Sequence, residues 1–507
     1  MPEQERNMVD VLVVGGGING AGIARVAAGN GLSVLLCEQD DLANATSSVS
    51  TKLIHGGLRY LESWHFGLVR KSLAEREVLL NIAPHIIHPL RFVLPHNAKM
   101  RPAWMLRLGL FLYDHLSKRV TLPKHKSFRL SNHTAGEALA EPNTIGFEYS
   151  DCRVDDARLV IFNALSAAEH GAEILTRTRC AKLNKDDDGW VATLVSPNDP
   201  ETKRLVRCKI VVNATGPWIS DFQKKIASDS SPLAICLVKG SHIIIPKLYD
   251  HEAAYIFQQS DNRIVFAIPY ETDFTLIGTT ESNFTGDASG AEIADDEIDY
   301  LCDVVNQYFK NNISPAEIVW SFSGVRPLIG DEGTKHSKLS RDYKLAWTEA
   351  GTGSPLLSIY GGKITTYRKL AEQAMNLISK EIGITPTSWS SKASLPGGDL
   401  GDLTFDRFRV TATDKYAWMP QQLCHRYART YGAKMDMLIG NASSLDDLGQ
   451  HFGSGLYEVE VVYLMQHEWA QTADDILWRR TKLGLRFSHD KAEVLSRWMR
   501  SAEMEMT

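Results

Sequence analysis

Three glycines near the start of the chain are spaced to hold a dinucleotide. Gly15, Gly17 and Gly20 satisfy G-x-G-x-x-G within Gly15-Gly16-Gly17-Ile18-Asn19-Gly20. Gly15 permits a tight strand-to-helix turn, Gly17 lets backbone approach a pyrophosphate, and Gly20 lets the helix pack on the strand. A helix beginning there offers unpaired N–H groups and partial positive charge to that anion. Glu38 ends the next apolar run, Ser33-Val-Leu-Leu-Cys37. A carboxylate at that spacing accepts hydrogen bonds from ribose hydroxyls and disfavours a 2′-phosphate. The pattern alone is weak, because a Gly-rich turn without ligand also fits it; the strand–glycine–helix–strand–acid context favours a nucleotide.

The hydrophobic pattern supplies the elements these residues need. Residues 9–14 (VDVLVV) form a short β-branched run expected as a buried strand. An Ala-rich helix over about 18–30 and the strand ending at Cys37 complete a βαβ unit. Residues 61–120 read as largely helical, interrupted by Pro84, Pro89, Pro95 and Pro102. A helix over 157–170 precedes strands in 172–196 around Asp186-Asp187-Asp188-Gly189. A further strand, Ile210 to Asn213, runs into Ala214-Thr215-Gly216. Strands SHIIIP, RIVFAIPY and FTLIGTT in 241–280 suit an antiparallel sheet, and a helix over 364–381 follows Gly361-Gly362. After the linker Pro386 to Asp402, residues 403–507 read as helices without convincing strands. The expected architecture is an α/β FAD-binding Rossmann-like fold from 1–88, 148–228 and 322–388. A substrate domain with an antiparallel sheet is expected from 89–147 and 229–321, and an all-helical domain from 390–507. FAD is preferred to NAD because the fingerprint opens the chain and a later strand ends in Ala214-Thr215-Gly216, as in a large flavoprotein class.

Composition narrows the alternatives. The chain has 507 residues, 44% hydrophobic and 23% charged, with formal charge −6, so global charge predicts no nucleic-acid binding. Cys37, Cys152, Cys180, Cys208, Cys236, Cys302 and Cys424 are scattered and odd in number, as expected for reduced thiols in a reducing compartment. The amino-terminal MPEQERNMVD lacks a signal-peptide apolar stretch, and no run of about twenty apolar residues would span a bilayer. No metal site is expected: His85, His88 and His96 lack acidic or Cys partners at ligand spacing.

Longer motifs carry a specific resemblance. TSSVSTKLIHGGLRYLE (46–62), EYSDCRVDDARL (148–159), VNATGPW (212–218), KGSHIIIP (239–246), FSGVRPL (322–328), GGKITTYRKLAEQ (361–373) and ADDILWRRTKLGLR (473–486) span nearly the whole chain. Together they resemble the FAD-dependent, quinone-linked glycerol-3-phosphate dehydrogenases, the bacterial aerobic enzymes most. The resemblance implies hydride transfer from C2 of sn-glycerol 3-phosphate to flavin N5, giving dihydroxyacetone phosphate. It also implies electron delivery to membrane quinone (ubiquinone), a homodimer, and a cytoplasmic enzyme attached peripherally to the inner membrane. An oxidase using O2, a flavin scaffold without turnover and an NAD-linked dehydrogenase are the competing readings. Beside the fingerprint with Asn19 and Glu38, the expected FAD contacts are Thr46, Ser47, Ser48, Lys52, Leu53, His55, Gly56, Ala214, Thr215, Gly216, Gly362, Lys363 and Thr365.

That chemistry makes three demands. A phosphate held away from water needs cationic donors, and Arg59, Arg326 and Lys363, with Tyr60 as a hydroxyl donor, are candidates in motifs of the family. Which of them meets phosphate and which meets the hydroxyls stays open. The C2 hydroxyl needs a base; His242 is the candidate and His55, expected beside the isoalloxazine, its rival. Negative charge developing on reduced flavin needs positive potential, which Lys363 and the helix N-terminus near Thr365 could supply. Two apolar–basic stretches could meet a phospholipid surface or belong to the core: 102–116 with Arg101, Arg107, Lys118 and Arg119, and Trp478 with Arg479, Arg480 and Lys482.

Overall fold

The computed structural model describes residues 8–61, 64–96, 101–118, 120–227, 233–259, 263–330, 342–348 and 353–506. Its first sheet is built on five parallel strands in the order Leu356–Tyr360, Asp199–Asn213, Met8–Val14, Val34–Cys37 and Glu173–Leu175. Lys344–Thr348 adds an antiparallel edge, and Arg179–Asp186 with Gly189–Ser196 forms a hairpin on Asp199–Asn213. Val11, Leu12 and Val13 are wholly buried, as a parallel strand covered on both faces requires. Helix Ile18–Ala28 covers one face and packs against helices Asp156–Glu169 and Tyr367–Ile382. Its small residues let these helices close in: a Cβ at Gly22 would lie 2.7 Å from the Tyr367 ring.

The second sheet runs Ser282–Asn283, Ile235–Pro246, Phe274–Gly278, Ile264–Tyr270, Ala254–Gln258, Ile87–Pro95, Ile145–Val154 and Leu53–Ile54. Trp320–Ile329 pairs along the other side of Ile235–Pro246, and Lys126–Arg129 pairs with Ile145–Val154. The pairings are antiparallel except between Ala254–Gln258 and Ile87–Pro95. Helix Asp295–Tyr308 lies over this sheet, burying Leu301, Val304 and Val305 against Ile243, Ile245 and Ile277.

Several expectations are corrected here. Residues 61–120 are not largely helical. Between helices Phe66–Ile82 and Ala103–His115 lies the strand Ile87–Pro95. Only Phe92 and Val93 of it pair on both sides, so Pro89 and Pro95 fall outside the doubly bonded stretch, where a missing N–H is tolerated. Strands Ile145–Val154 and Trp320–Ile329 hydrogen-bond within the second sheet, although most of their residues were grouped with the Rossmann-like segments 148–228 and 322–388. Strand Ala254–Gln258 was not anticipated, and residues 403–507 include a two-stranded ribbon, His451–Gly453 with Leu456–Tyr457.

The carboxyl-terminal helices form their own core, with Tyr427, Tyr431, Leu456, Val461, Leu464 and Ile476 wholly buried or nearly so. They are fastened by charge to helix Asp156–Glu169 and to loops that leave strands of the first sheet. Arg158 and Glu468 form a pair with both side chains fully buried, and so do Arg480 and Asp41. Asp475 binds Arg177 at 2.8 Å and also Arg479, while Lys482 Nζ lies 3.0 Å from Asp155. Burial pushes the Asp475 carboxyl up, but the surrounding guanidinium groups and backbone N–H hold it at about 2. The stretch at Trp478 to Lys482 is therefore no membrane patch: Arg480 and Lys482 are buried, and Trp478 stacks on Trp320 at 3.9 Å.

His85 sits in the same seam, wholly buried, against the Phe162 ring and the close-packed Gly397 and Gly432. Neither ring nitrogen has a partner among the described residues, and burial, then Arg158 and His88, hold its pKa well below 6.5. The folded protein keeps His85 neutral, whereas the unfolded chain takes up the proton below the ordinary value. Its contribution is therefore complete above that pH and declines on acidification, by about 1.4 kcal/mol per pH unit. His85→Phe is expected to flatten the fall in unfolding free energy between about pH 6.5 and about pH 5, measured by denaturant titration. An unchanged slope would assign the acid sensitivity elsewhere.

Candidate active site

Strands Met8–Val14, Val34–Cys37 and Asp199–Asn213 end level, with Val14 registered against both Cys37 and Asn213. The loops that leave them converge at the carboxyl edge of the parallel sheet, where a nucleotide site is expected in such folds. There a cavity of about 1320 Å³ runs between the two sheets.

At one end the wall is Gly15, Gly17, Asn19, Glu38, Ala214, Thr215 and Gly216. Gly15 has φ +112°, and a Cβ on it would lie 2.5 Å from the Ala214 carbonyl oxygen. A Cβ on Gly20 would lie 1.9 Å from the Gly15 oxygen, so Gly20 acts from behind the wall, by packing. Gly17 meets only Ser47 Oγ, 3.0 Å from its would-be Cβ, and Ser47 Oγ accepts the Ile18 N–H. The Glu38 carboxylate accepts the N–H groups of Gly16 (2.6 Å) and Asp40 (3.0 Å), which fixes it at the strand end. Burial nevertheless raises its pKa. Asn19 Nδ2 donates to the Gly361 carbonyl, but its buried Oδ1 has no partner among the described residues. A glycine cradle, a helix N-terminus, a fixed carboxylate and an orphan amide oxygen together fit a dinucleotide.

The middle of the wall is Thr46, Ser47, Leu53, His55, Gly362, Lys363 and Thr365. Thr46 Oγ1 donates to Val325 O at 2.7 Å, and His55 N donates to Thr365 Oγ1 at 3.2 Å, binding the 46–57 segment to both neighbours. Gly361 (φ +67°) and Gly362 (φ +104°) turn the chain from strand Leu356–Tyr360 into the helical stretch starting at Ile364, whose N-terminus faces the cavity. Three expected contacts lie behind this wall. Lys52 is buried with Nζ 2.8 Å from Asp156 and 2.7 Å from the Ser48 carbonyl. Ser48 Oγ donates to Ala45 O, and the Gly56 N–H is taken up by Tyr113 and Asp151. These residues hold the segment's shape.

The far end gathers the cationic candidates. Arg59, Tyr60, Arg326 and Lys363 all line the cavity, with Lys363 Nζ 3.7 Å from the Tyr60 ring centre. Arg326 Nη2 lies 3.5 Å from Thr279 Oγ1, and Nη1 lies 3.9 Å from Glu281. His242 does not line the cavity. It is buried in strand Ile235–Pro246, stacked on Phe322, with Nε2 3.0 Å from the hydroxyl of Thr51, which does line it. The absence of a side chain at Gly278 makes room for the imidazole, since a Cβ there would lie 2.1 Å from it. Burial, then Arg326 and Lys52, hold the His242 pKa well below 6.5, so the ring is neutral at pH 7. Thr51, Thr279 and Glu281 were not singled out from sequence. Thr51 stood inside the 46–62 motif, Thr279 inside the expected strand FTLIGTT, and Glu281 just after that strand as an undistinguished polar residue.

A model of the FAD dependent oxidoreductase family matches residues 10–368, and one described as the C-terminal domain of alpha-glycerophosphate oxidase matches 388–506. This chain belongs to the FAD-dependent glycerol-3-phosphate dehydrogenase family. A glycerol-3-phosphate dehydrogenase of Pseudomonas aeruginosa is 51% identical over 97% of this chain and 95% of its own length. A D-erythritol 1-phosphate dehydrogenase of Brucella abortus is 47% identical over 99% of each. The crystal structure of the Bacillus halodurans glycerol-3-phosphate dehydrogenase complexed with FAD superposes with TM-score 0.79 at 26% identity, covering 100% of this chain and 92% of that one. The cofactor is FAD, and the chain is an oxidoreductase. Gly20→Ala is expected to yield protein with little bound FAD, because the added methyl drives the fingerprint turn out of register. Visible flavin absorbance per protein checks this, and full occupancy would show that the turn can yield.

Proposed function

We propose that this enzyme oxidises sn-glycerol 3-phosphate to dihydroxyacetone phosphate and passes the electrons to membrane quinone, ubiquinone by family resemblance. The observation that carries the reading is that a dinucleotide cradle and three cationic side chains, Arg59, Arg326 and Lys363, share one cavity wall. Bound FAD supplies the two-electron acceptor for a hydride from C2. Gly15, Gly17, Asn19, Glu38 and Ala214 to Gly216 would hold its nucleotide half, and Thr46, Ser47, Leu53, His55, Gly362 and Thr365 its ring system. Arg326 and Arg59 bind the phosphate of nearly two negative charges through planar forks, and Lys363 adds a point charge beside the helix N-terminus at Ile364. Thr51 takes the proton from the C2 oxygen and passes it to Nε2 of neutral His242, which is the base at one remove.

Helix Ala103–His115 supports membrane attachment. It exposes Trp104, Met105, Leu108 and Phe111 while burying Leu110 and Tyr113, and Arg107 is exposed among them. The helix packs against the turn Leu58–Leu61 that carries Arg59 and Tyr60. Among the described residues no helix is long and apolar enough to cross a membrane. An apolar face of this length suits an interface, where Arg101, Arg107 and Lys118 meet anionic headgroups; Arg119 lies outside the described residues. Peripheral attachment at the cytoplasmic face of the inner membrane, as a homodimer, completes the proposal.

A second substrate reading rests on the Brucella relative: a four-carbon polyol phosphate. Anaerobic bleaching of the flavin by each polyol phosphate tests both. Bleaching by glycerol 3-phosphate with quinone-dependent reoxidation is the expected result; bleaching by erythritol phosphate alone would replace the substrate, and stoichiometric peroxide would replace the acceptor. Arg326→Ala should lose about 1.5–3 kcal/mol of transition-state binding, about 10–150-fold in kcat/KM, with FAD retained. Unchanged kcat/KM would remove Arg326 from the site. His242→Gln should slow flavin reduction by about 10²–10⁴-fold. Because the His242 pKa is depressed, the wild-type reduction rate at saturating substrate should not fall between pH 7.5 and pH 6.5. An acid limb centred in that window would point to another base.

A further inference from the structure

Thr51 connects the cavity to His242, and a proton can cross it only while its hydroxyl keeps one direction. The hydroxyl lies 3.0 Å from His242 Nε2, and Thr51 lines the cavity. A β-branched side chain has few χ1 choices, so the backbone on either side of Thr51 decides where that oxygen points.

Both neighbours are held by one carboxylate. Asp156 Oδ2 accepts the Ser50 N–H at 3.1 Å and the Ser50 hydroxyl at 2.7 Å. Asp156 also binds Lys52 Nζ, at 2.8 Å through Oδ1 and 3.0 Å through Oδ2. The Ser50 hydroxyl in turn accepts the Lys52 N–H at 2.9 Å, which closes a ring of bonds spanning Thr51. Lys52 has φ +59°, a left-handed conformation that costs a residue with a side chain, so contacts from outside must maintain it. The Ser48 carbonyl takes Lys52 Nζ at 2.7 Å, and the Lys52 carbonyl accepts the Val154 N–H at 2.9 Å. Asp156 is wholly buried in the first turn of helix Asp156–Glu169, where a carboxylate is favoured, and the Ala157 N–H donates to it at 2.9 Å.

The same carboxylate balances charge near the base. Lys52 Nζ lies 5.1 Å from the centre of the Phe322 ring, on which His242 stacks at 4.9 Å. An ammonium so placed opposes a proton on the imidazole, and Asp156 supplies the opposite charge.

Resting on the glycerol-3-phosphate reading and the Thr51–His242 proton route above, we propose that Asp156 is a positioning residue for the proton transfer that accompanies hydride loss. It holds Ser50 and Lys52 so that the Thr51 hydroxyl spans the C2 oxygen and His242 Nε2. The proton of the C2 hydroxyl passes to Thr51 Oγ1, the Thr51 proton passes to Nε2, and Asp156 stays ionised throughout. Asp156 acts from behind the cavity wall, through Thr51 alone.

The test follows anaerobic flavin reduction by glycerol 3-phosphate in the FAD-loaded enzyme. Asp156→Asn should slow reduction by on the order of 10²-fold, the cost of a misplacement of about 1 Å. The half-saturating substrate concentration should change by less than about 3-fold, because the cationic groups are untouched. Ser50→Ala keeps the Lys52–Asp156 pair and should slow reduction about 10-fold. It supplies the measurement if loss of a buried counter-charge prevents folding. Thr51→Val, expected to be slower by about 10²–10⁴-fold, separates aiming from general loosening. With no hydroxyl left to aim, adding Asp156→Asn or Ser50→Ala to it should slow reduction by less than about 3-fold more. Flavin absorbance and thermal midpoint certify each variant. Full additivity of Ser50→Ala with Thr51→Val would overturn the proposal. So would wild-type rates in Ser50→Ala and Asp156→Asn beside a slow Thr51→Val. A Thr51→Val variant as fast as wild type would instead remove the proton route, and a wild-type flavin that glycerol 3-phosphate does not bleach would remove the functional reading; either takes the proposal with it.

Discussion

Gly15 and Ala214 come so close that a single methyl group cannot fit between them, and the site is organised around that approach. It brings the loops after two neighbouring parallel strands to one point, with the N-terminus of helix Ile18–Ala28 beside them. Gly20 repeats the constraint one turn later against the same backbone. Asn19 then reaches across to the Gly361 carbonyl and so positions the start of a second helical stretch at the cavity. Two helix N-termini on one cavity make a field suited to anions before any charged side chain is counted.

Charge is distributed by burial. The pairs that clamp the helical domain, Arg158 with Glu468 and Arg480 with Asp41, are removed from water, and Asp41 takes Arg479 as well. Such pairs contribute specificity of docking more than net stability, because desolvation opposes their attraction. The cationic side chains of the cavity lie on an open wall, where a ligand can still reach them. His242 occupies an intermediate place: sealed from solvent and kept neutral, yet in contact with the cavity through the Thr51 hydroxyl.

The second sheet supplies what the first lacks. Arg326, His242 and the turn 279–282 come from three adjacent strands or their ends, so their spacing is fixed by hydrogen-bonded ladders. Small residues at Gly240 and Gly278 leave room for the Arg326 and His242 side chains respectively. Such a scaffold holds acid–base and anion-binding groups in relation without needing the loop to order on binding.

The fingerprint glycines, Glu38, the opening βαβ unit, the helix after Gly361-Gly362 and the helical character of the last hundred or so residues were legible in the sequence, because each depends on local periodicity or a backbone requirement within a few residues. Strand Ile87–Pro95 was not, since its prolines break a helix and a central strand alike and only its neighbours decide which residues need an N–H. Lys52, His242 and Arg480 have the right chemistry for a site or a surface; tertiary packing buries them and assigns Lys52 and Arg480 to ion pairs and His242 to a place behind Thr51. Glu281 shows the converse, a plain polar residue brought beside Arg326 by a strand pairing far along the chain. Residue types and short spacings therefore determined the cofactor class and the candidate groups. Burial and long-range pairing, which depend on chain segments hundreds of residues apart, decided which of those groups meet the cavity.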